Sequence, residues 1–344
     1  MTFDEVMAEI TNGLTGDPEK DLRFLNEKSE EYKDHENGPE ILRACGRLIY
    51  ERMPKNDRND LDEILRKIES HIASELKNAM EQVSQKKPEK ALEILERLLG
   101  KISALNSPHE DEQSIFVSLD DPLQEFLYHN LYQPKKTIRQ PALAAGPAYY
   151  YYGYVLFETG QHDKAEKALE EARTLCPMNS DYAFEHIETF KARGNLETFR
   201  ELTLAEMKKI YIARNLARGY RNLGYYYVEK KDYPTAVMLY QMSHLFDNQS
   251  EKYVEQELNY ISQTSGQKIK FYSPEEIQTA FTKKGIPLGV DPTVLQLIVS
   301  FGSWCLENKH ISAAKACLQI FYDATNDEEV KKIIDSLPDE PEGK

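Results

Sequence analysis

The sequence predicts an all-α chain of antiparallel helix hairpins, and three observations carry that expectation. Apolar residues recur at helical spacing along nearly all of the 344 residues, as a helix with one buried face requires. Strand-like character is confined to one short run, Ile115-Phe116-Val117. From Gly146 onward the chain repeats its own pattern of large and small residues at intervals near 34 positions, the length of one helix pair.

The elements follow in order. Phe3 to Thr11 form a short amphipathic helix. Asp17 is placed to cap a second helix, with Pro18 at its first position, where a missing N–H costs nothing. Leu22, Leu25 and Tyr32 continue it until Asn37-Gly38-Pro39. Ile41, Leu42, Cys45, Leu48 and Ile49 make the next stripe, which ends at Met53-Pro54. Asp60 is expected to cap a long helix through Ile64, Ile68, Ile72, Leu76, Met80 and Val83. Lys87-Pro88 opens another, with Ala91, Leu92, Leu95, Leu98 and Leu99 inward and Gly100 near its end. Residues 1–105 are thus an N-terminal helical block.

Residues 106–145 read as a connector. A polar turn, Ser107 to Glu112, precedes the strand-like run, and Asp121-Pro122 caps a helix over 121–132. Lys135, Lys136 and Arg139 then lead into a Pro/Ala/Gly stretch from Pro141 to Pro147. The connector helix is expected to pack against the repeats and partly occupy their groove, because a short tether gives it a high local concentration.

The repeat begins at 146. Residues 146–179 place Tyr149, Tyr152, Gly153, Leu156, Ala165, Leu169, Ala172 and Pro177 at positions 4, 7, 8, 11, 20, 24, 27 and 32 of a 34-residue unit. Residues 217–250 repeat this with Tyr220, Leu223, Gly224, Tyr227, Ala236, Tyr240 and Ser243. Small residues at 8 and 20 let two helices approach closely, and large ones fill the space toward the next hairpin. Between these units, 180–213 keeps the turn Gly194-Asn195 but has Phe199 where Ala stands at position 20. That bulk is expected to push its hairpin apart. Residues 295–328 match moderately, through Ile298, Phe301, Gly302, Cys305 and Ala314, and residues 72–105 faintly, through Ala79, Ala91 and Leu95. A capping box opens at Ser273-Pro274-Glu275-Glu276. Residues 329–344 are a short helix and an acidic tail.

This pattern resembles the tetratricopeptide repeat family, specifically over 146–250 and more loosely to 328. The resemblance implies a right-handed superhelix (a solenoid of hairpins) over 146–328, whose concave face commonly binds a peptide or a partner helix. By that resemblance, positions 2, 5, 9, 12 and 13 of each first helix face the groove. The candidate binding residues are Tyr150, Tyr154 and Phe157; Phe184, Glu188 and Lys191; and Arg218, Arg221 and Tyr225. Asn222 joins them because Arg218 and Asn222 resemble half of the carboxylate clamp some members carry. Aromatic residues beside two arginines suit a peptide with an acidic group, which Arg grips through two hydrogen bonds.

Composition narrows the function classes. Lys and Arg number 43 against 58 Asp and Glu, a net charge of −15, which repels phosphate backbones and anionic lipid. Neither nucleic acid nor a membrane surface is an expected partner. Cys45, Cys176, Cys305 and Cys317 are scattered without metal-ligand spacing, so no metal or other cofactor is expected and the thiols should be reduced. The beginning MTFDEVMAEI is acidic where a signal peptide is basic, which fits the cytoplasm. The run Val294 to Leu306 is too short to span a bilayer and reads as a buried helix. Phosphate loops, H-E-x-x-H and G-x-S-x-G motifs are absent, so the chain is read as a non-enzyme. The first reading is a protein- or peptide-binding scaffold. The alternative is a peptide-sensing or signalling regulator whose N-terminal helices act on an effector protein. Residues 1–60 hold 15 acidic against 9 basic residues, which argues against a DNA-binding version of it. A purely structural subunit would instead form a homo-oligomer through its end hairpins.

Overall fold

The computed structural model describes residues 1–105, 110, 113–141 and 143–338. The rest of the expected turn at 107–112 and the tail beyond 338 lie outside the described residues. Among the described residues are seventeen α-helices and two short strands. In order they are α1 (Phe3–Asn12), α2 (Pro18–Tyr32), α3 (Gly38–Arg52), α4 (Lys55–Ser84), α5 (Pro88–Leu105), β1 (Ser114–Phe116), α6 (Pro122–Tyr132) and β2 (Thr137–Arg139). Then come α7 (Ala145–Glu158), α8 (His162–Leu175), α9 (Ser180–Ala192), α10 (Leu196–Met207), α11 (Ala213–Glu229) and α12 (Tyr233–Phe246). The chain continues with α13 (Glu251–Ser265), α14 (Pro274–Lys284), α15 (Pro292–Glu307), α16 (Ile311–Thr325) and α17 (Glu328–Ser336). Two compact units form: Met1–Ser118 with Pro134–Cys176, and Leu119–Gln133 with Pro177–Lys344. The boundary expected at 145/146 falls inside the first unit, because α7 packs on α5.

In the first unit, α1, α2 and α3 bury Phe3, Val6, Ile10, Leu25, Ile41 and Cys45 in one core. Buried Asp21 ties the turn before α2 to that core. One of its oxygens accepts from the Thr15 amide at 2.7 Å and hydroxyl at 2.9 Å, and the other accepts from the Gly16 amide at 3.0 Å. The Thr15 amide first, then the Thr15 hydroxyl, the Gly16 amide and the nearby Arg52, hold its carboxyl below the ordinary range against the opposing effect of burial. The long helix α4 starts at Lys55 and not at Asp60. Pro54 is extended and starts α4, its carbonyl accepting from the Arg58 amide at 3.0 Å, while the Arg58 side chain reaches back to the Glu51 and Met53 carbonyls at 3.0 and 3.1 Å and closes the end of α3. Gly100 lies inside α5, which runs to Leu105. The expected strand-like run pairs in parallel with β2, which no sequence pattern announced.

Five hairpins share one turn: α4/α5, α7/α8, α9/α10, α11/α12 and α15/α16. Each first helix ends on a left-handed residue, Lys86, Gly160, Gly194, Lys231 or Lys309. The next residue's N–H then bonds to the carbonyl five positions earlier, from Lys87 to Gln82, Gln161 to Leu156, Asn195 to Phe190, Asp232 to Tyr227 and His310 to Cys305. This is the helix-ending motif that recovers carbonyls left open at a C-terminus. Seven residues before each left-handed position stand Ala79, Gly153, Ile187, Gly224 and Gly302; five after stand Ala91, Ala165, Phe199, Ala236 and Ala314. All ten are buried. The faint match at 72–105 and the moderate one at 295–328 are therefore hairpins of the same construction.

In the second unit, α6 packs on α15, with the Phe126 and Phe301 rings 5.3 Å apart. Helix α15 is not wholly buried: Val294, Ile298, Phe301, Gly302 and Cys305 face inward, whereas Val299 and Trp304 are exposed. The link between α14 and α15 folds onto fully buried Tyr220. That hydroxyl donates to the Pro287 carbonyl at 3.0 Å and accepts from the Gly289 amide at 2.7 Å. Burial pushes the Tyr220 phenol up to about 12. All four cysteines are buried free thiols. No helix among the described residues is long and apolar enough to cross a membrane.

Candidate functional site

Three helices of the second unit, α9, α11 and α13, carry the candidate site. Helical spacing puts Asp181, Glu185 and Glu188 along one stripe of α9, and Arg214, Arg218, Asn222, Tyr225 and Glu229 along one stripe of α11. The two stripes meet rung by rung. Arg214 reaches Asp181 at 3.5 Å and Arg218 reaches Glu185 at 2.8 Å. The Arg218 guanidinium also covers the Phe184 ring at 5.2 Å. One turn on, Lys191 pairs with Glu188 at 3.0 Å and sits over the Tyr225 ring at 4.6 Å.

Helix α13 adds Tyr253, Glu257 and Tyr260, spaced so that one face presents all three. Tyr253 and Tyr260 are about half exposed, at 48% and 52%, which leaves their rings available for contact. Glu257 accepts from the fully buried Tyr240 hydroxyl at 3.1 Å and is also hydrogen-bonded to Tyr253. Burial first, then Glu229, Glu188, Glu257 and Tyr260, pushes the Tyr225 phenol up. Tyr253 is pushed up by burial first, then Glu257, with Arg221 opposing and Glu188 adding. Glu188 of α9 and Glu257 of α13 thus both lie within electrostatic reach of Tyr225 on the helix between them. The three helices contribute side chains to one face around Tyr225.

The structure redistributes the sequence-based candidates. Phe184 is fully buried, so it is a floor under Arg218 and not a contact residue; its aromatic bulk fills the space between α9 and α11. Arg221 points toward the α12–α13 link, where Ser243, Asp247 and Ser250 oxygens each lie 3.2 Å away. Asn222 is 6% exposed, and its amide nitrogen meets no acceptor among the described residues. Glu188, Lys191 and Tyr225 line the shared face. The expected free arginine pair is not present: each arginine already holds a carboxylate. Glu185, Tyr253, Glu257 and Tyr260 escaped the sequence reading. The Tyr-x-x-x-Glu-x-x-Tyr spacing of α13 was their signal, hidden because α13 lies outside the units that match the repeat.

In the first unit, Tyr150, Tyr154 and Phe157 all lie on α7 and are partly buried. The Tyr150 ring is 5.3 Å from Tyr151. Phe157 packs against Leu156, Ala165 and Ala168, 5.1 Å from the His162 ring, so it belongs to its own hairpin's packing. Tyr152 donates to Glu96 at 2.9 Å, and burial, then Glu96, pushes its phenol up to about 12.

With this geometry in place, the comparisons can be read. Residues 146–179 match the family model described as tetratricopeptide repeat. That stretch, α7 and α8, is a tetratricopeptide-type unit. No curated protein matches it. Among solved structures, it is similar to one in the crystal structure of the APC/C hetero-tetramer Cut9–Hcn1, at 12% identity and a TM-score of 0.40. That match covers 97% of this chain and 55% of the other, so this chain spans about half the length of that relative. The apo form of RapI matches at 13% identity and a TM-score of 0.36, covering 96% and 97%. BtubC (BKLC) from P. vanneervenii matches at 11% and 0.32, also covering 96% and 97%. None of these likenesses bears on a partner.

Proposed function

We propose that this tetratricopeptide-type protein is a non-enzymatic scaffold that binds a protein or peptide segment, using the α9–α11–α13 face of its second unit. The observation that carries this is the exposure of Tyr253 and Tyr260 beside Tyr225. Half-exposed tyrosines supply large contact area while losing little conformational freedom on binding. The ion pairs Arg218–Glu185 and Arg214–Asp181 then act as struts between α11 and α9. Among the described residues, no group of three or more His, Cys, Asp and Glu side chains could hold a metal ion, and the reading needs none.

The test is capture of partners on the immobilised chain beside a Tyr253→Ala/Tyr260→Ala variant. Both side chains are about half exposed, so the variant should keep its circular dichroism spectrum. A partner held by the parent and lost by the variant supports the reading. A partner held equally by both moves the binding surface elsewhere, with the α1–α3 core the next region to probe.

A further inference from the structure

Resting on that reading of the face, the charge arrangement names the partner's chemistry. Every cation on the α9 and α11 stripes is already matched. Arg214 goes to Asp181, Arg218 to Glu185, Lys191 to Glu188 and Arg221 to Asp247. Two carboxylates of the same face have no basic partner among the described residues. Glu229 is exposed at the end of α11, and Glu257 is held by tyrosine hydroxyls only. Around them stand the rings of Tyr225, Tyr253 and Tyr260. A carboxylate flanked by tyrosine faces suits a guanidinium or ammonium group, through an ion pair and a cation–π contact together. Lys191 over Tyr225 shows one such contact made within the chain.

A second observation concerns the backbone of the guest. Asn222 lies between Arg218 and Tyr225 on the same α11 stripe, and its buried amide donor lacks an acceptor. A buried donor left open is costly, and a carbonyl of an extended segment laid along the face would satisfy it. We infer that the α9–α11–α13 face takes a lysine- or arginine-bearing peptide segment, whose cationic side chains reach Glu229 and Glu257 among the tyrosines and whose main chain accepts from Asn222. This reverses the acidic ligand that the arginines suggest when read from sequence, because folding gives each arginine an internal carboxylate.

The test uses the full chain and two randomised short-peptide pools of equal apolar content. In one pool the charged positions are Lys and Arg; in the other they are Asp and Glu. Fluorescence anisotropy is read at moderate salt for the parent and two variants. Glu229→Gln/Glu257→Gln keeps the oxygen that Tyr240 bonds. Glu201→Gln/Glu307→Gln removes the same charge from exposed positions on α10 and α15 and controls for the net charge. The expected result is preferential binding of the basic pool, weakened by about tenfold in the first variant, as two partly exposed ion pairs would give, and unchanged in the second. Equal weakening in both variants, or none in either, would overturn the inference, since bulk charge would then account for binding. Preference for the acidic pool, abolished by Tyr253→Ala/Tyr260→Ala, would overturn the charge assignment while keeping the face. Binding of neither pool would overturn both.

Discussion

Hairpins α9/α10 and α11/α12 are adjacent in sequence, share one turn geometry and solve the same packing problem in opposite ways. In α11/α12 a glycine meets an aromatic ring: a Cβ on Gly224 would stand 2.9 Å from the Tyr240 ring, so the helices are in intimate contact. In α9/α10 the equivalent positions hold Ile187 and Phe199, both buried, and the two helices touch less extensively. The bulk expected to part that hairpin does so, but it leaves no exposed gap. Phe199 turns toward α11 and meets the Tyr225 ring edge-on at 6.1 Å. The difference teaches that the looser hairpin exchanges helix-to-helix closeness for contact with the next repeat, and that this contact sets Tyr225 in the candidate site.

The comparison breaks most severely if Phe199 is removed. Phe199→Ala should cost about 3–5 kcal/mol of stability, the usual range for a fully buried aromatic. Urea unfolding measures it, and a loss well below that range would mean that α9 and α10 close into the tight geometry. The tight hairpin should fail in the opposite sense, by overpacking. Gly224→Ala places its Cβ against a ring pinned by Glu257, and about 1–3 kcal/mol should be lost. The same measurement on Gly153→Ala, whose Cβ would lie 2.5 Å from Leu169, tests whether the rule holds in the first unit.

Alkaline titration sharpens the comparison further, because the tight hairpin buries its phenols. Tyr220 is pushed up to about 12, above the value near 10 expected unfolded. Its neutral form is therefore favoured by folding. Its contribution is present in full below pH about 10 and is lost as pH rises toward about 12, by about 3 kcal/mol for a two-unit shift. Near-ultraviolet tyrosinate absorbance should show the exposed phenols ionising first, and Tyr220 and Tyr240 only with unfolding. If all tyrosines ionise together near pH 10, the buried assignment fails. The smallest effect concerns the shared turn. Lys231 and Lys309 adopt the left-handed conformation that Gly194 adopts freely, so Lys231→Gly should raise stability by about 1 kcal/mol, read as a higher melting temperature.

Legibility in the sequence followed the same local rules. Gly160 and Gly194 announce their turns, and the small residues at 153 and 165 announce a close hairpin. Lys86 hides an identical turn, because a residue in an unfavourable backbone region leaves no compositional mark. That is why α4/α5 looked faint as a repeat. Asp60 looked like a cap and is mid-helix, since side-chain type alone does not say whether an earlier start is satisfied by another group. β2 was invisible because Thr137-Ile138-Arg139 carries no alternation long enough to register, and its partner strand is distant in sequence.

At the site, the family resemblance singled out Glu188, Lys191 and Tyr225 as groove residues, while the charge state of the face was out of reach. Arg218 and Arg221 look free in a linear reading. Glu185, Asp247 and α13 come to them only through folding. The sequence by itself determined the helices, the hairpin turns with glycine, and which positions must be small, because these depend on backbone conformation and on contacts within one hairpin. The tertiary structure alone decided which charges cancel and which tyrosines stay exposed. Those are sums over neighbouring repeats, and electrostatic pairing is set by distance in space, not by separation along the chain.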